Sequence, residues 1–280
     1  MGVIARKPGY IGGVTAELTT PLHAVESGPE DATQRVVFLH GLFGRGKNFT
    51  RVAQGLEPEA LSLLVDLPNH GQSGWTEHFS YPQLADLVAA HLRAGFAAGG
   101  PVDVVGHSMG GKVAMVLALR HPDLVRRLAV IDIAPAAADG GRGEFEHLLG
   151  SLASVDLGSL ERRTDAGVAL KSLIPNDGVR GFLLQNLKRE GDAFEWEPNL
   201  AMLRSELETV MAFPDTAGAS FDGPVLWLGG ERSNYVTDAD EPTMRALFPK
   251  TRRMTMKGAG HWVHSEKPAE TIGVLRAFLL

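Results

Sequence analysis

The chain has 280 residues, 44% apolar and 21% charged, with a net charge of −6 and no cysteine. That length and balance suit one large α/β domain with a sizeable core and exclude a disordered chain. Lys and Arg are scattered rather than clustered, which argues against nucleic acid or a membrane surface as partner, and the missing cysteines remove disulfides, thiolate catalysis and cysteine-ligated zinc.

No apolar run reaches membrane-spanning length, and Gly9, Gly12 and Gly13 interrupt any secretory h-region. A soluble cytoplasmic protein, monomeric or a small homo-oligomer, is therefore expected. Residues 1–35 read as a lead-in with one or two short strands, one of them at Leu22–Val25. A buried strand follows at Val36–Leu39 and ends in His40-Gly41-Leu42-Phe43-Gly44. A helix is predicted from Asn48 to Leu56, then a strand at Leu61–Val65 that ends at Asp66 and a Pro/Asn/Gly-rich loop to Gly74. Leu84, Leu87, Val88, Ala90 and Leu92 form the apolar stripe of a helix from about Tyr81 to Phe96.

The next stretch carries the strongest signal. Val102–Val105 is a strand run, Gly106-His107-Ser108-Met109-Gly110 follows, and a helix opens directly on Val113–Leu119. Gly-x-Ser-x-Gly between a strand and a helix is the pattern of a nucleophile elbow. The turn is too sharp for side chains at Gly106 and Gly110, and the new helix aims its free N–H groups at the serine. Another strand, Leu128–Ile131, ends at Asp132. From Ala136 to Phe221 the strand pattern stops, and amphipathic helical patterns appear at Val179–Leu187 and Leu200–Met211. Strands return at Pro224–Gly229 and Arg252–Met256, His261 follows the latter, and a helix from Pro268 closes the chain.

Continuous apolar strands alternating with helices imply a mostly parallel sheet of about eight strands covered on both faces. The predicted organisation is an α/β core of residues 1–135 and 222–280 with a helical cap (lid) at 136–221. In such sheets functional groups gather at the carboxyl ends of strands, which collects His40, Asp66, Ser108 and Asp132 along one edge.

A serine hydroxyl needs a base, and the base an orienting acid. Ser108 is the candidate nucleophile. His261, in a Gly-Ala-Gly loop, is the best base of the ten histidines. His107 should turn into the elbow packing, His40 and His70 serve as structural loop residues, and His264 lies on the surface. Asp132 is favoured as the acid over Glu231 and Asp238; Ser233 holds the position where a carboxylate often follows the later strand. The backbone N–H groups of Met109 and Leu42, with Phe43 as fallback, are the candidate oxyanion donors. The side chains of Phe43 and Trp262 are assigned to the pocket. The cap aromatics Phe145, Phe182, Phe194 and Trp196 read mainly as packing. The cap cations Arg142, Lys171, Arg180, Lys188 and Arg189 read as a solvated face, with an anionic coenzyme A leaving group as the sharper hypothesis.

The stretches Leu39–Gly44, Asp66–Ser73, Gly106–Lys112 and Val130–Pro135 together resemble the α/β-hydrolase superfamily. The resemblance is closest to the compact bacterial YbfF-type esterases and thioesterases and their mitochondrial abhydrolase-domain relatives, and spans residues 20 to 280. It implies a Ser-His-Asp hydrolase of small esters or acyl thioesters, with no metal or organic cofactor and with its acid after the strand that follows the elbow, at Asp132.

Two other readings compete. Gly41–Asn48 nearly matches a phosphate-binding loop, but Asn48 stands where a Mg²⁺-binding Ser or Thr is needed and the elbow is left unexplained. Cofactor-free haloperoxidases, carbon–carbon lyases and ligand receptors share the fold expected here, and the receptor alone would tolerate loss of Ser108.

Overall fold

The computed structural model describes residues 20–137 and 141–280; Gly9, Gly12 and Gly13, and residues 138–140 of the expected cap, lie outside them. In chain order the elements begin with β1 (Ala24–Ser27), β2 (Gln34–Leu39), α1 (Thr50–Gln54), β3 (Ala60–Val65) and α2 (Tyr81–Arg93). The elbow region supplies β4 (Val102–His107) and α3 (Met109–Arg120), followed by β5 (Val125–Ile131). The stretch before the strand rhythm resumes holds α4 (Arg142–Ala153), α5 (Arg163–Ala169), α6 (Asp177–Leu184), β6 (Leu187–Glu190), β7 (Ala193–Trp196), α7 (Leu200–Ser205) and α8 (Leu207–Met211). The chain ends with β8 (Val225–Gly230), α9 (Glu241–Leu247), β9 (Thr251–Met256), α10 (Val263–Glu266) and α11 (Pro268–Leu279).

Among the described residues the main sheet has seven strands in the order β1-β3-β2-β4-β5-β8-β9. Only β1 runs antiparallel, against β3; every other pairing is parallel. Alternation within the strands splits the core in two. Val37, Leu39, Leu63, Val104, Leu128, Val130 and Trp227 face one way, toward α2, α3 and the helices from the 142–211 stretch. Val36, Phe38, Leu64, Val105, Ala129, Ile131 and Leu228 face the other, where Val52, Leu275 and Leu279 of α1 and α11 cover them. A sheet buried on both faces selects for the unbroken apolar runs seen in the sequence.

Three expectations need correction. The 136–221 stretch is not free of strands: β6 and β7 form an antiparallel hairpin, Leu187 opposite Trp196. Glu190 and Ala193 flank Gly191, whose φ of 61° makes the hairpin turn. The helical pattern read through Leu187 therefore stops at Leu184, and the Leu200–Met211 pattern breaks at Glu206 into α7 and α8. No helix among the described residues is long and apolar enough to cross a membrane.

The strand-to-helix turn at Ser108 is as tight as its glycines imply. A Cβ on Gly106 would lie 2.3 Å from the Gly110 carbonyl oxygen, and one on Gly110 would lie 2.3 Å from that of Leu39. Ser108 itself is forced to φ 53°, ψ −122°. Gly106→Ala should accordingly lower folding stability by about 1–3 kcal/mol through overpacking. Urea unfolding checks this, and a wild-type midpoint would mean that the turn relaxes easily.

Candidate active site

The parallel order places the carboxyl ends of β4, β5 and β8 side by side, and the three polar side chains expected to act together meet there. The Ser108 hydroxyl lies 3.0 Å from His261 Nε2, and His261 Nδ1 lies 2.7 Å from Asp132 Oδ2. A buried carboxylate can only accept, so Nδ1 carries the proton and Nε2 is left to accept from the serine. All three side chains are largely withdrawn from water; Asp132 is fully buried.

Asp132 holds its position through an unusual backbone and a full set of donors. Its φ is 53°, its own N–H donates to the Leu228 carbonyl at 3.0 Å, and its Oδ1 accepts the Gly230 N–H at 2.8 Å. Its Oδ2 takes both the His261 N–H and the Ser233 hydroxyl, the latter at 2.5 Å. Ser233 thus stands where an alternative acid would sit and instead donates to the acid that is present. Glu231 and Asp238 are engaged elsewhere: Glu231 accepts the Gly258 N–H and Asp238 accepts from Arg253, so neither meets His261.

Tyr235 lies over the imidazole with ring centroids 4.2 Å apart. Burial and the charges of Glu144 and Asp132 push its phenol up to about 12, so it stays protonated beside the histidine.

The loop after β2 approaches from the other side. A Cβ on Gly41 would sit 3.1 Å from the Ser108 Cβ. The Gly41 carbonyl accepts from His40 Nδ1 at 2.8 Å and from the Gly44 N–H at 2.9 Å. A trans peptide is planar, so the Leu42 N–H joined to that carbonyl points the opposite way. Neither Leu42 nor Met109 uses its N–H in a hydrogen bond to another described residue. Met109 is the first residue of α3, whose positive end faces the serine. His40 is held by the Leu67 N–H on its Nε2, and burial lowers its pKa, which fits the structural part expected of it. His70 is likewise buried and bonded to the Pro68 carbonyl.

His264 is not on the surface. It lies on α10, whose inner side turns into the lower core, where it stacks on Phe49 at 4.6 Å and meets His107 at 4.6 Å. His107 does turn inward. Its Nε2 donates to the His261 carbonyl at 2.9 Å, and burial together with its histidine neighbours holds its pKa well below the usual value.

Two cavities branch from Ser108, sharing it with Leu42 and Phe145. One is bounded by His261, Trp262, Phe43 and the α6 residues Val179, Phe182 and Leu183. The other runs past Met109 to Tyr81, Lys112, Val210 and Met211. The expected pocket residues Phe43 and Trp262 both line the first. The Lys112 ammonium donates to the Met211 and Ala212 carbonyls at 2.7 and 2.8 Å, which ties α8 to the elbow helix. Lys47 is exposed, in keeping with a solvated lysine rather than a phosphate ligand.

Sequence reasoning assigned no role to Ser233, to Tyr235 or to Asn186, whose amide donates to the Phe43 carbonyl, and read Phe145 mainly as packing, whereas it lines both cavities. Ser233 had a signal, since its place after β8 was singled out, but its partner was legible only in three dimensions.

The chain also matches known proteins. Residues 36–274 match the model of the alpha/beta hydrolase family, and the chain belongs to that family. It is 37% identical over 257 residues to the mouse sn-1-specific diacylglycerol lipase ABHD11, covering 89% of this chain and 82% of that protein. It is 30% identical over 244 residues to esterase YbfF of Escherichia coli, covering 87% and 92% of the two chains. The solved structure of a marine microorganism esterase superposes with a TM-score of 0.88 at 30% identity, over 94% of this chain and all of that one.

Burial pushes the pKa of His70 and of His264 down to about 3, from an ordinary value of 6.5. The unfolded chain therefore binds more protons than the folded one below pH 6.5. Stability contributed by keeping these rings neutral is complete above that value and is lost as the pH falls toward 3. The unfolding midpoint should drop between pH 7 and 5, a window above most carboxylate titration, and should drop less steeply in His264→Phe. Parallel pH profiles for the two proteins would refute this burial effect.

Proposed function

We propose that this chain is a serine hydrolase that cleaves carboxylic esters through an acyl-enzyme on Ser108. The observation that carries the reading is the hydrogen-bonded series Ser108–His261–Asp132, at 3.0 and 2.7 Å, at the head of α3. The named activities of the esterase and diacylglycerol lipase relatives have the cleavage of an ester bond in common.

In the acylation step Ser108 Oγ attacks the ester carbonyl carbon while His261 Nε2 takes its proton. Asp132 keeps Nδ1 protonated and stabilises the imidazolium; its contacts to Gly230 and Ser233 prevent it from turning away. The developing oxyanion is received by the Met109 and Leu42 N–H groups, reinforced by the α3 dipole. His261 then protonates the departing alcohol. Water repeats the sequence on the acyl-enzyme, with His261 again as base, and releases the acid and the free serine.

The leaving group must lie beside the imidazole that protonates it, which assigns it to the cavity of His261 and Trp262. The acyl group then occupies the cavity past Met109. Both are small and mostly apolar, a fit for small esters. Residues 136–221 act as a cap over a core of 1–135 and 222–280, since α4, α6 and α8 supply much of the lining of both cavities. Oxygen esters are favoured over coenzyme A thioesters because most of the cap cations are engaged within the protein. Lys188 pairs with Glu190 and Glu195, Arg180 with Asp177, and Arg189 lies over Phe194.

Ser108→Ala should reduce turnover of short p-nitrophenyl esters by at least about 10³-fold, and Asp132→Asn by a comparable factor, with Glu231→Gln near wild type. Steady-state kinetics and fluorophosphonate labelling of Ser108 test the set; near-normal turnover by Asp132→Asn would remove that residue from its role. The two cavities separate in a second measurement. Val210→Trp should depress the octanoate-to-acetate ratio of kcat/KM, whereas Val179→Trp should depress the ratio for hexyl over methyl alcohols. Interchanged effects would reverse the assignment of the cavities.

A further inference from the structure

The loop that presents Leu42 adopts a conformation its own residues do not favour. Residues 41–44 close a turn, with the Gly44 N–H on the Gly41 carbonyl at 2.9 Å. The third position of that turn is Phe43, at φ 61°, where glycine is the preferred residue and a bulky side chain is strained. Such a conformation is strained and persists only when its surroundings hold it.

The Phe43–Gly44 peptide is held at both ends. Its N–H makes the turn bond, and its carbonyl accepts from Asn186 Nδ2 at 2.7 Å. Asn186 is almost completely buried and is itself fixed between two elements. Its N–H donates to the Leu183 carbonyl at the end of α6, and its own carbonyl accepts the Glu197 N–H just beyond β7. A rigid amide from the 136–221 stretch therefore clamps the strained residue next to the proposed oxyanion donor.

Resting on the catalytic reading above, we infer that Asn186 is a positioning residue for the oxyanion loop: it holds Phe43 left-handed so that the Leu42 N–H faces the reacting carbonyl. No bond to substrate is involved. Without the clamp, Phe43 relaxes toward negative φ, the turn changes form and the donor leaves its place. The helical stretch thus takes part in stabilising the transition state as well as in shaping the cavities.

Asn186→Ala should lower kcat on p-nitrophenyl acetate by about tenfold with KM within about twofold, since only charge developed in the transition state loses its partner. Affinity for a short alkylboronic acid, which forms a tetrahedral adduct on the serine, should fall in parallel. Asn186→Leu, which keeps much of the volume but has no donor, should do the same if the alanine variant fails to fold. The decisive measurement is a double-mutant cycle with Phe43→Gly. Glycine enters positive φ without help, so removing Asn186 in that background should cost less than about threefold. Equal costs in both backgrounds, or a change confined to KM, would overturn the inference and leave Asn186 as packing. If the wild-type protein hydrolyses no ester and fluorophosphonate leaves Ser108 unlabelled, the catalytic reading fails instead.

Discussion

A carboxylate with no exposure to water must find donors for its lone pairs, and the arrangement around Asp132 follows from that requirement. Three donors from three places along the chain converge on it: Gly230 at the end of β8, Ser233 in the loop beyond, and His261 after β9. Each belongs to a segment that the parallel sheet brings to the same edge, and each loses its reason for that position if the charge is removed. The charge also fixes the protonated nitrogen of His261, and with it the free nitrogen that faces Ser108. Burial of a single anion thereby links sheet order, loop conformation and imidazole tautomer.

The elbow was legible in the sequence because its constraint is local. Gly106 and Gly110 are required by carbonyls a few residues away or on the adjacent strand, and the strand–turn–helix pattern surrounding them is continuous. The buried strands were legible for a related reason: burial on both faces removes polar residues from the run. His264 shows the opposite case. A polar residue three positions beyond a loop histidine carries no mark of burial, and the docking of α10 against Phe49 and His107 hides it. The β6–β7 hairpin is hard to read because Lys188, Arg189 and Glu190 leave β6 without apolar alternation; it is held by its ladder, by the cross-strand Lys188–Glu195 pair and by the buried cluster that Leu187 and Phe194 share. Asn186 had no signal at all. Its importance lies in a partner 143 residues away.

Fold and substrate preference draw on different parts of such a molecule. The sheet, the elbow and the loop after β2 belong to the general apparatus of the fold, which many chemistries share. Over Ser108 lies the surface that α4, α6 and α8 supply: mostly apolar, with Phe145 lining both cavities, and tied to the elbow helix through Lys112. Of the cations in the same stretch, Lys188 and Arg180 pair with neighbouring carboxylates and Arg189 lies over Phe194.

Ser233 also bears on how such sites diversify. Its hydroxyl oxygen lies 2.5 Å from the Asp132 carboxylate, in the place a second acid would take. Two carboxylates at that separation cannot both be ionised in a buried site; one must retain a proton or the pair must separate. The site therefore has room for one negative charge, and β5 and the loop after β8 are mutually exclusive suppliers of it. A lineage that moves the acid from one strand to the other cannot pass through a fully charged intermediate with both. It must cross through a proton-sharing pair or through a site with no acid. A hydroxyl at position 233 suits a site with one charge: its oxygen donates to the carboxylate instead of competing with it.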